Sequence, residues 1–470
     1  MFSRIAISLL LLLPVYWHPR IQAGDLGSHT YNAWLAQLVE QGKAPGLEIV
    51  PQRTNVLFDL ALAWLFPRVG PDWAERLLLS AAVLLFFWGA GAFVCRASGE
   101  RPWFLLPCLA MLTYGWTYHM GLFNFYLSCG LVLLALAIAW DGRRAGLLLM
   151  AVAWVAHPLP VLWGGGVVLY EMISARLPDR VRWVLFPAAI VAVVAVRLLL
   201  EWKAKTTWVS LQLFSMTAID QFWVFGIKYY VVALCVGALW GFLVLRLSYL
   251  YPWRELLAQI PLQLAVLTSL TIVLVPTAIE GIGYRLPLSF VAERMTLLLG
   301  VLVCVLLAKA QPLPWQRALT AALAAVYFVF LYVDTGVLTR IESRMEMLVR
   351  SLPPGSRVVA PFYDPGSRVF VLGHTIDRVC TGRCFSYGNY EPSSTQFRLR
   401  ATQPNVVVLH ELQDRLDLNA GRYVVKARDE PLFQIAVCGP RLETDLCLKP
   451  LHTGQTVERV TVLAVTPLLF

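Results

Sequence analysis

Long apolar runs recur along this 470-residue chain, most of them separated by only a few polar residues. A helix needs about 20 mostly apolar residues to cross a bilayer, and in hydrocarbon only helices and closed barrels satisfy their own backbone. Such runs lie near 4–18, 74–95, 103–118, 122–140, 145–157, 159–173, 183–200, 228–246, 256–276, 294–309 and 316–334, predicting a mainly α bundle of about eleven spans. Hydrophobic residues make up 58% of the chain and charged ones 14%, well below the roughly 25% of soluble proteins. Seventeen tryptophans fit membrane–water interfaces. The net charge of +10 does not point to nucleic acid, because the arginines punctuate apolar runs instead of interleaving with aromatics on a polar face.

Those arginines also orient the chain. Arg96 and Arg101; Arg143 and Arg144; Arg176, Arg180 and Arg182; Arg246 and Arg254; and Lys309 with Arg317 occupy alternate short loops. The turns at 119–121 and 157–158 carry no Lys or Arg. The positive-inside rule then puts the N-terminus and these arginines in the cytoplasm and the C-terminal region outside. The expected location is a bacterial inner (cytoplasmic) membrane, with the C-terminal part periplasmic or extracellular. The first run, with Arg4 ahead of it and Gln22-Ala23 behind, reads as an anchor or a cleaved signal peptide.

Cysteine placement agrees with this orientation. Cys95, Cys108, Cys129, Cys235 and Cys304 lie in or beside apolar runs, where cysteine acts as a small hydrophobe. Cys380, Cys384, Cys438 and Cys447 fall in the more polar C-terminal part, an even number that fits two disulfides in an oxidising compartment. Zinc is the competing reading, although the pairs lack the usual two-residue spacing.

Three outer segments are long enough to hold function: 19–73, 201–227 and 277–293. In the first, Ser28 is positioned to cap a helix running to about Gln41, with Gly42 ending it. A second amphipathic helix starts near Thr54 and stops near Pro67, and both are expected at the membrane surface. Past about Asp334 the composition changes, dividing the chain into a transmembrane part, 1–335, and an exported α/β domain, 336–470. A helix over Gly336–Ser351 opens this domain, and strands are predicted over Arg357–Pro361, Arg368–Leu372, Asn405–Leu409, Tyr423–Val425, Phe433–Val437 and Val460–Val465.

Given this topology, Asp25, His29, Asp59, His119, His157, Asp220, Glu280, Arg285, Glu293 and Arg294 all sit outside or at the outer boundary. Polar residues near membrane depth are costly and tend to be functional. Asp25 and His29 stand four apart at a helix start, so they can share a face. They could serve as general base or bind a divalent metal together; alternatively Asp25 only stabilises the helix N-terminus and His29 is interfacial. His157, before Pro158, reads either as a cavity residue or as a satisfied polar residue at a turn. Arg294, with Arg285 nearby, suits a phosphate, while a Glu293–Arg294 ion pair accounts for them equally well.

The order of these elements resembles the GT-C superfamily of membrane glycosyltransferases. The resemblance rests on Gly24-Asp25-Leu26-Gly27-Ser28-His29, Gly42-Lys43-Ala44-Pro45, Asn55 to Leu65, and the junction Ser351-Leu352-Pro353-Pro354-Gly355-Ser356-Arg357-Val358. Many family members have Asp-Glu at the first motif; here Leu26 follows Asp25. The resemblance implies transfer of a sugar from a polyprenyl-phosphate-linked donor to an envelope acceptor on the outer face of the bilayer. Asp25 would be the base, Arg294 and less directly Arg285 would hold the donor phosphate, and His29, His157 and Glu293 would border the substrate. Two other readings stand beside it: a transporter or flippase of lipid-linked material, and a non-catalytic assembly protein with the same fold.

Overall fold

The structure, a computed structural model, describes residues 2–140, 145–281, 283 and 285–464. Arg143 and Arg144 lie outside the described residues, as do the side chains of Arg180 and Arg182.

The chain is mainly helical. In order come α1 (Phe2–Tyr16), α2 (Leu26–Glu40), α3 (Leu57–Val69), α4 (Pro71–Ser98), α5 (Leu106–Thr113), α6 (Phe123–Ala139), α7 (Gly146–Ala156), α8 (Pro158–Arg176), α9 (Asp179–Lys203), α10 (Ile227–Leu250), α11 (Ile260–Leu274), α12 (Val291–Leu307) and α13 (Pro314–Arg350). Four stretches, Pro71–Ser98, Val184–Lys203, Ile227–Leu250 and Pro314–Arg350, are long and apolar enough to cross a membrane. Ser3–Tyr16, Phe123–Ala139, Gly146–Ala156 and Ile260–Leu274 are apolar but shorter. Large apolar side chains such as Leu148, Val191 and Leu245 stand exposed on the outer faces, a surface that suits an apolar solvent.

Close helix approach depends on small residues. A Cβ on Gly89 of α4 would lie 2.7 Å from the Gly130 carbonyl of α6. The apolar run 103–118 does not form one helix: the chain turns at Tyr114-Gly115, where a Cβ on Gly115 would meet the Gln221 carbonyl at 2.9 Å. In contrast, 316–334 and the helix expected from Gly336 are a single element, α13. Gly336 does not break it; its bare backbone accommodates the His18 ring, whose Nε2 lies 2.8 Å from the Tyr332 carbonyl.

The helix expected at the membrane surface after Asp25 is instead enclosed. Ten of the fifteen residues of α2 are buried. Its polar side chains face protein: Ser28 donates to Glu391, Thr30 to Glu75, and Asn32 accepts from Asn389. Its cap position is Asp25, one turn before the predicted Ser28. The second helix, α3, keeps Leu60 and Trp64 exposed while Phe58 and Leu62 are buried.

The C-terminal segment forms β2 (Arg357–Val359), helix α14 (Thr375–Cys380), β3 (Phe385–Ser386), β4 (Leu399–Ala401), helix α15 (Leu412–Asn419), β5 (Leu432–Val437) and β6 (Leu446–Leu451), while β1 (Leu47–Ile49) belongs to the first long loop. The sheet order is β3-β2-β5-β6, parallel except for the β5–β6 pair, and β1 pairs antiparallel with β4. Three expected strands are absent: 423–425 keeps only an isolated bridge between Val424 and Thr456, and the other two are lost for local reasons. Arg368 is drawn from 368–372 to Asp220 and the Trp223 carbonyl. In 405–409 the Asn405 side chain accepts from the Val407 and Val408 amides, closing a turn in place of a ladder. Cys380 is bonded to Cys384 and Cys438 to Cys447, and the five cysteines of the apolar runs are free.

One buried cluster joins these parts. Arg378 of α14 forms a fork on Glu342 of α13, with Nε–Oε1 and Nη2–Oε2 both 2.7 Å. Its Nη1 reaches the Ile21 carbonyl at 2.7 Å and Glu75 of α4 at 3.2 Å. Gln22 donates to Glu342 at 2.7 Å. Removing one member of a buried charge network leaves the others desolvated and unpaired, at about 3–5 kcal/mol. Arg378→Leu is therefore expected to destabilise the protein by about that amount in detergent thermal unfolding, more than any exposed arginine. Near-native stability of that variant would show that Arg378 does not tie these segments together.

Candidate functional site

The backbone that carries Asp25 is fixed by close contact. Gly24 N–H donates to the His119 carbonyl at 2.7 Å, and Asp25 N–H to that of Met120 at 3.1 Å. A Cβ on Gly121, which has φ +82°, would come 2.3 Å from the Asp25 nitrogen. A Cβ on Gly24 would come 2.8 Å from the Met120 carbonyl oxygen, and one on Gly27 2.2 Å from that of His374. The two glycines of the Gly-Asp-Leu-Gly motif are therefore each required by a neighbouring strand of backbone.

Asp25 opens on a cavity of about 500 Å³ bounded by the first loop, the 120–125 turn, the 286–290 segment and the C-terminal region. Its Oδ1 lies 3.1 Å from His374 Nε2, and Tyr390 Oη donates to Oδ2 at 3.4 Å. His374 Nδ1 lies 2.9 Å from Asp377, whose other oxygen accepts from Ser386 Oγ at 2.5 Å. The His374 ring is thus held between two carboxylates. Burial works against its charged form, but the hydrogen bond to Asp377 and the charges of Asp25 and Asp377 outweigh burial and raise its pKa. In its charged form the ring donates to both Asp25 and Asp377.

His29 also lines the cavity, but its Nδ1 lies 2.6 Å from Asp59. Asp59 in turn accepts from Asn124 at 2.7 Å, and Asn124 accepts from the Phe58 amide. Burial disfavours the imidazolium, yet Asp59, helped by Glu391 and Asp25, holds the His29 pKa at about 9. Asp59 is lowered by the same pairing, whereas burial and the nearby Asp59 push Glu391 up.

Two of the arginines on the cavity wall, both partly buried, have no counterion among the described residues. Neither Arg294 nor Arg415 has a carboxylate within ion-pair distance among the described residues, and the buried Nε of each is unpartnered. Arg415 lies over the Tyr390 ring at 5.0 Å, and burial lowers its pKa to about 10. Such cations gain from an anion entering the cavity.

The remaining expected residues are placed differently. His157 stands behind Arg294, with Nε2 3.3 Å from Nη1, while its Nδ1 lies 3.2 Å from the Leu159 amide. A neutral ring has one acceptor nitrogen, so it serves one of these donors at a time. Glu293 does not pair with Arg294; its Oε1 accepts from Thr277 at 2.5 Å. Arg285 is exposed and bonded to Thr395 through its backbone amide. His374, Asp377, Tyr390 and Arg415 were missed because the C-terminal part was read as a separate exported domain. The clue available was a pair of ionisable residues three apart, His374 and Asp377, at the start of a short helix.

No group of three His, Cys, Asp or Glu side chains suited to a metal occurs among the described residues. His29 is committed to Asp59 and the Gly121 carbonyl, and unpaired guanidinium groups face the cavity, so these residues do not fit a divalent cation. No protein family, curated protein or solved structure matches this chain.

The pairing of His29 has a pH signature. A raised histidine pKa stabilises the fold fully below about 6.5 and loses that contribution as pH rises through about 9. Thermal stability in detergent is expected to decline across that window, and Asp59→Asn is expected to flatten the decline. An unchanged slope in that variant would remove the pair from the account.

Proposed function

We propose that this chain is a bacterial inner-membrane glycosyltransferase of the GT-C type, using a polyprenyl-phosphate-linked sugar to glycosylate an envelope acceptor at the outer face. The observation that carries this reading is one cavity bordered by a carboxylate, Asp25, and by two guanidinium groups without counterions, Arg294 and Arg415. The topology proposed with it has about eleven crossings, the arginine-bearing loops in the cytoplasm and the C-terminal segment outside. The apolar helices and the two disulfides of that segment support it.

In the proposed reaction, Asp25 takes the proton from an acceptor hydroxyl as the oxygen attacks the anomeric carbon. The bond between that carbon and the phosphate oxygen breaks, and its electron pair leaves with the phosphate. Arg294 and Arg415 hold the resulting anion. The proton stays on Asp25, while His374, oriented by Asp377, donates to the other Asp25 oxygen and holds the carboxylate in place. His157 positions Arg294 from behind, and His29 fixes α2 against α3 through Asp59.

General-base removal typically lowers a rate by about 10²–10⁴-fold. Asp25→Asn is expected to cost that much in a membrane transfer assay run with a panel of polyprenyl-phosphate pentoses and hexoses. Arg294→Gln with Arg415→Gln is expected to abolish binding of polyprenyl phosphate, read by native mass spectrometry. Full transfer by a folded Asp25→Asn protein would dismiss this mechanism. Undiminished phosphate-lipid binding by the arginine variant would dismiss the assigned donor site.

A further inference from the structure

A second, larger concavity lies at the other end of α4. Glu75 stands near the start of that helix and Arg96 near its end, about 30 Å apart along the axis at 1.5 Å per residue. The groove has a volume of about 1080 Å³ and is walled by α1, α4, the start of α5 and the end of α6.

Its shape follows from residue size. Trp88 Nε1 donates to Ser8 Oγ at 3.0 Å, closing α1 onto α4 at the floor. One turn further α4 presents Gly91 and Ala92, and a Cβ on Gly91 would meet no atom within 4 Å. This contrasts with Gly89 on the opposite side, which is packed against α6. Leu9, Ile5 and Trp103 line the sides and remain largely exposed, so the walls are apolar.

Its mouth is cationic. Arg4, Arg96 and Arg101 all line it, with Glu100 the one acid on it among the described residues, and all three arginines lie within electrostatic reach of the Cys95 thiol. An apolar trough that ends in clustered guanidinium groups matches a molecule with acyl chains and an anionic head. Long arginine side chains at helix ends are suited to reach a head group from an apolar surface.

We infer that this groove is a binding site for an anionic phospholipid, its acyl chains along α1 and α4 and its phosphate against Arg96, Arg101 and Arg4. The site is separate from the cavity at Asp25 and would stand whether or not the chain transfers sugars.

The test uses the purified full chain in detergent, titrated with phosphatidylglycerol or phosphatidylcholine of identical acyl chains and read by native mass spectrometry and thermal unfolding. The wild type is expected to prefer phosphatidylglycerol. Each arginine near a head group contributes about a five-fold gain in affinity, so Arg96→Gln with Arg101→Gln should cut that preference on the order of twenty- to thirty-fold. Gly91→Phe, which fills the trough from a position with open space, should weaken both lipids while leaving the arginines in place. Equal affinity of the wild type for the two lipids overturns the inference, and so does a phosphatidylglycerol preference that survives the double arginine substitution. Binding unchanged by Gly91→Phe would show that the chains do not lie in this groove.

Discussion

The buried fork between Arg378 and Glu342 is the contact on which the rest of the arrangement depends. Its guanidinium also reaches Glu75 and the Ile21 carbonyl, so one side chain joins the C-terminal segment, α13, α4 and the chain leaving α1. Charges so placed are costly alone and tolerable only as a complete set. The set is complete: Glu75 takes a further hydrogen bond from Thr30, and Glu342 one from Gln22. Because Thr30 belongs to α2, the network also fixes the helix that begins beside Asp25.

The candidate site inherits its precision from that junction. Asp25 comes from the first loop and His374 from the cap position of α14, and Gly27 lets the two backbones approach within a distance that no side chain would permit. Arg378 lies one residue from Asp377, which orients His374. The side chains around that helix divide the work: Arg378 anchors it, His374 lines the cavity, and Asp377 orients His374 from behind. The Cys380–Cys384 bond closes the loop that follows.

This division explains what the sequence could and could not reveal. Apolar runs marked the helices, because hydrophobic patterning is local; α4, α10 and α13 fall where the runs lie. Asp25, His29 and Arg294 could be singled out by position and do line one cavity. The burial of α2 was not legible. Polar side chains such as Ser28, Thr30 and Asn32 read the same whether they meet water or the side chains of Glu391, Glu75 and Asn389. Two of those partners lie more than 350 residues downstream. The same limitation hid His374 and Arg415, whose meaning depends on what a distant loop brings to them. The strands expected at 368–372 and 405–409 failed for a different reason: their amides have other acceptors, the Phe225 and Val369 carbonyls in the first and the Asn405 side chain in the second.

A contrast among the buried cations bears on function. Lys228 has Asp334 at 2.6 Å, Arg368 has Asp220 at 3.1 Å, and Arg378 has Glu342 at 2.7 Å. Each is a closed pair, and each joins segments remote in sequence. Arg294 and Arg415 are partly buried, each with a buried Nε that has no partner, yet no carboxylate closes either one among the described residues. Those three cations are closed by carboxylates, while Arg294 and Arg415 stand open on the wall of the cavity that holds Asp25. Desolvated charge of that kind weakens the empty protein and is repaid only when an anion enters. That difference favours a phosphate-bearing ligand over a purely architectural role for the cavity.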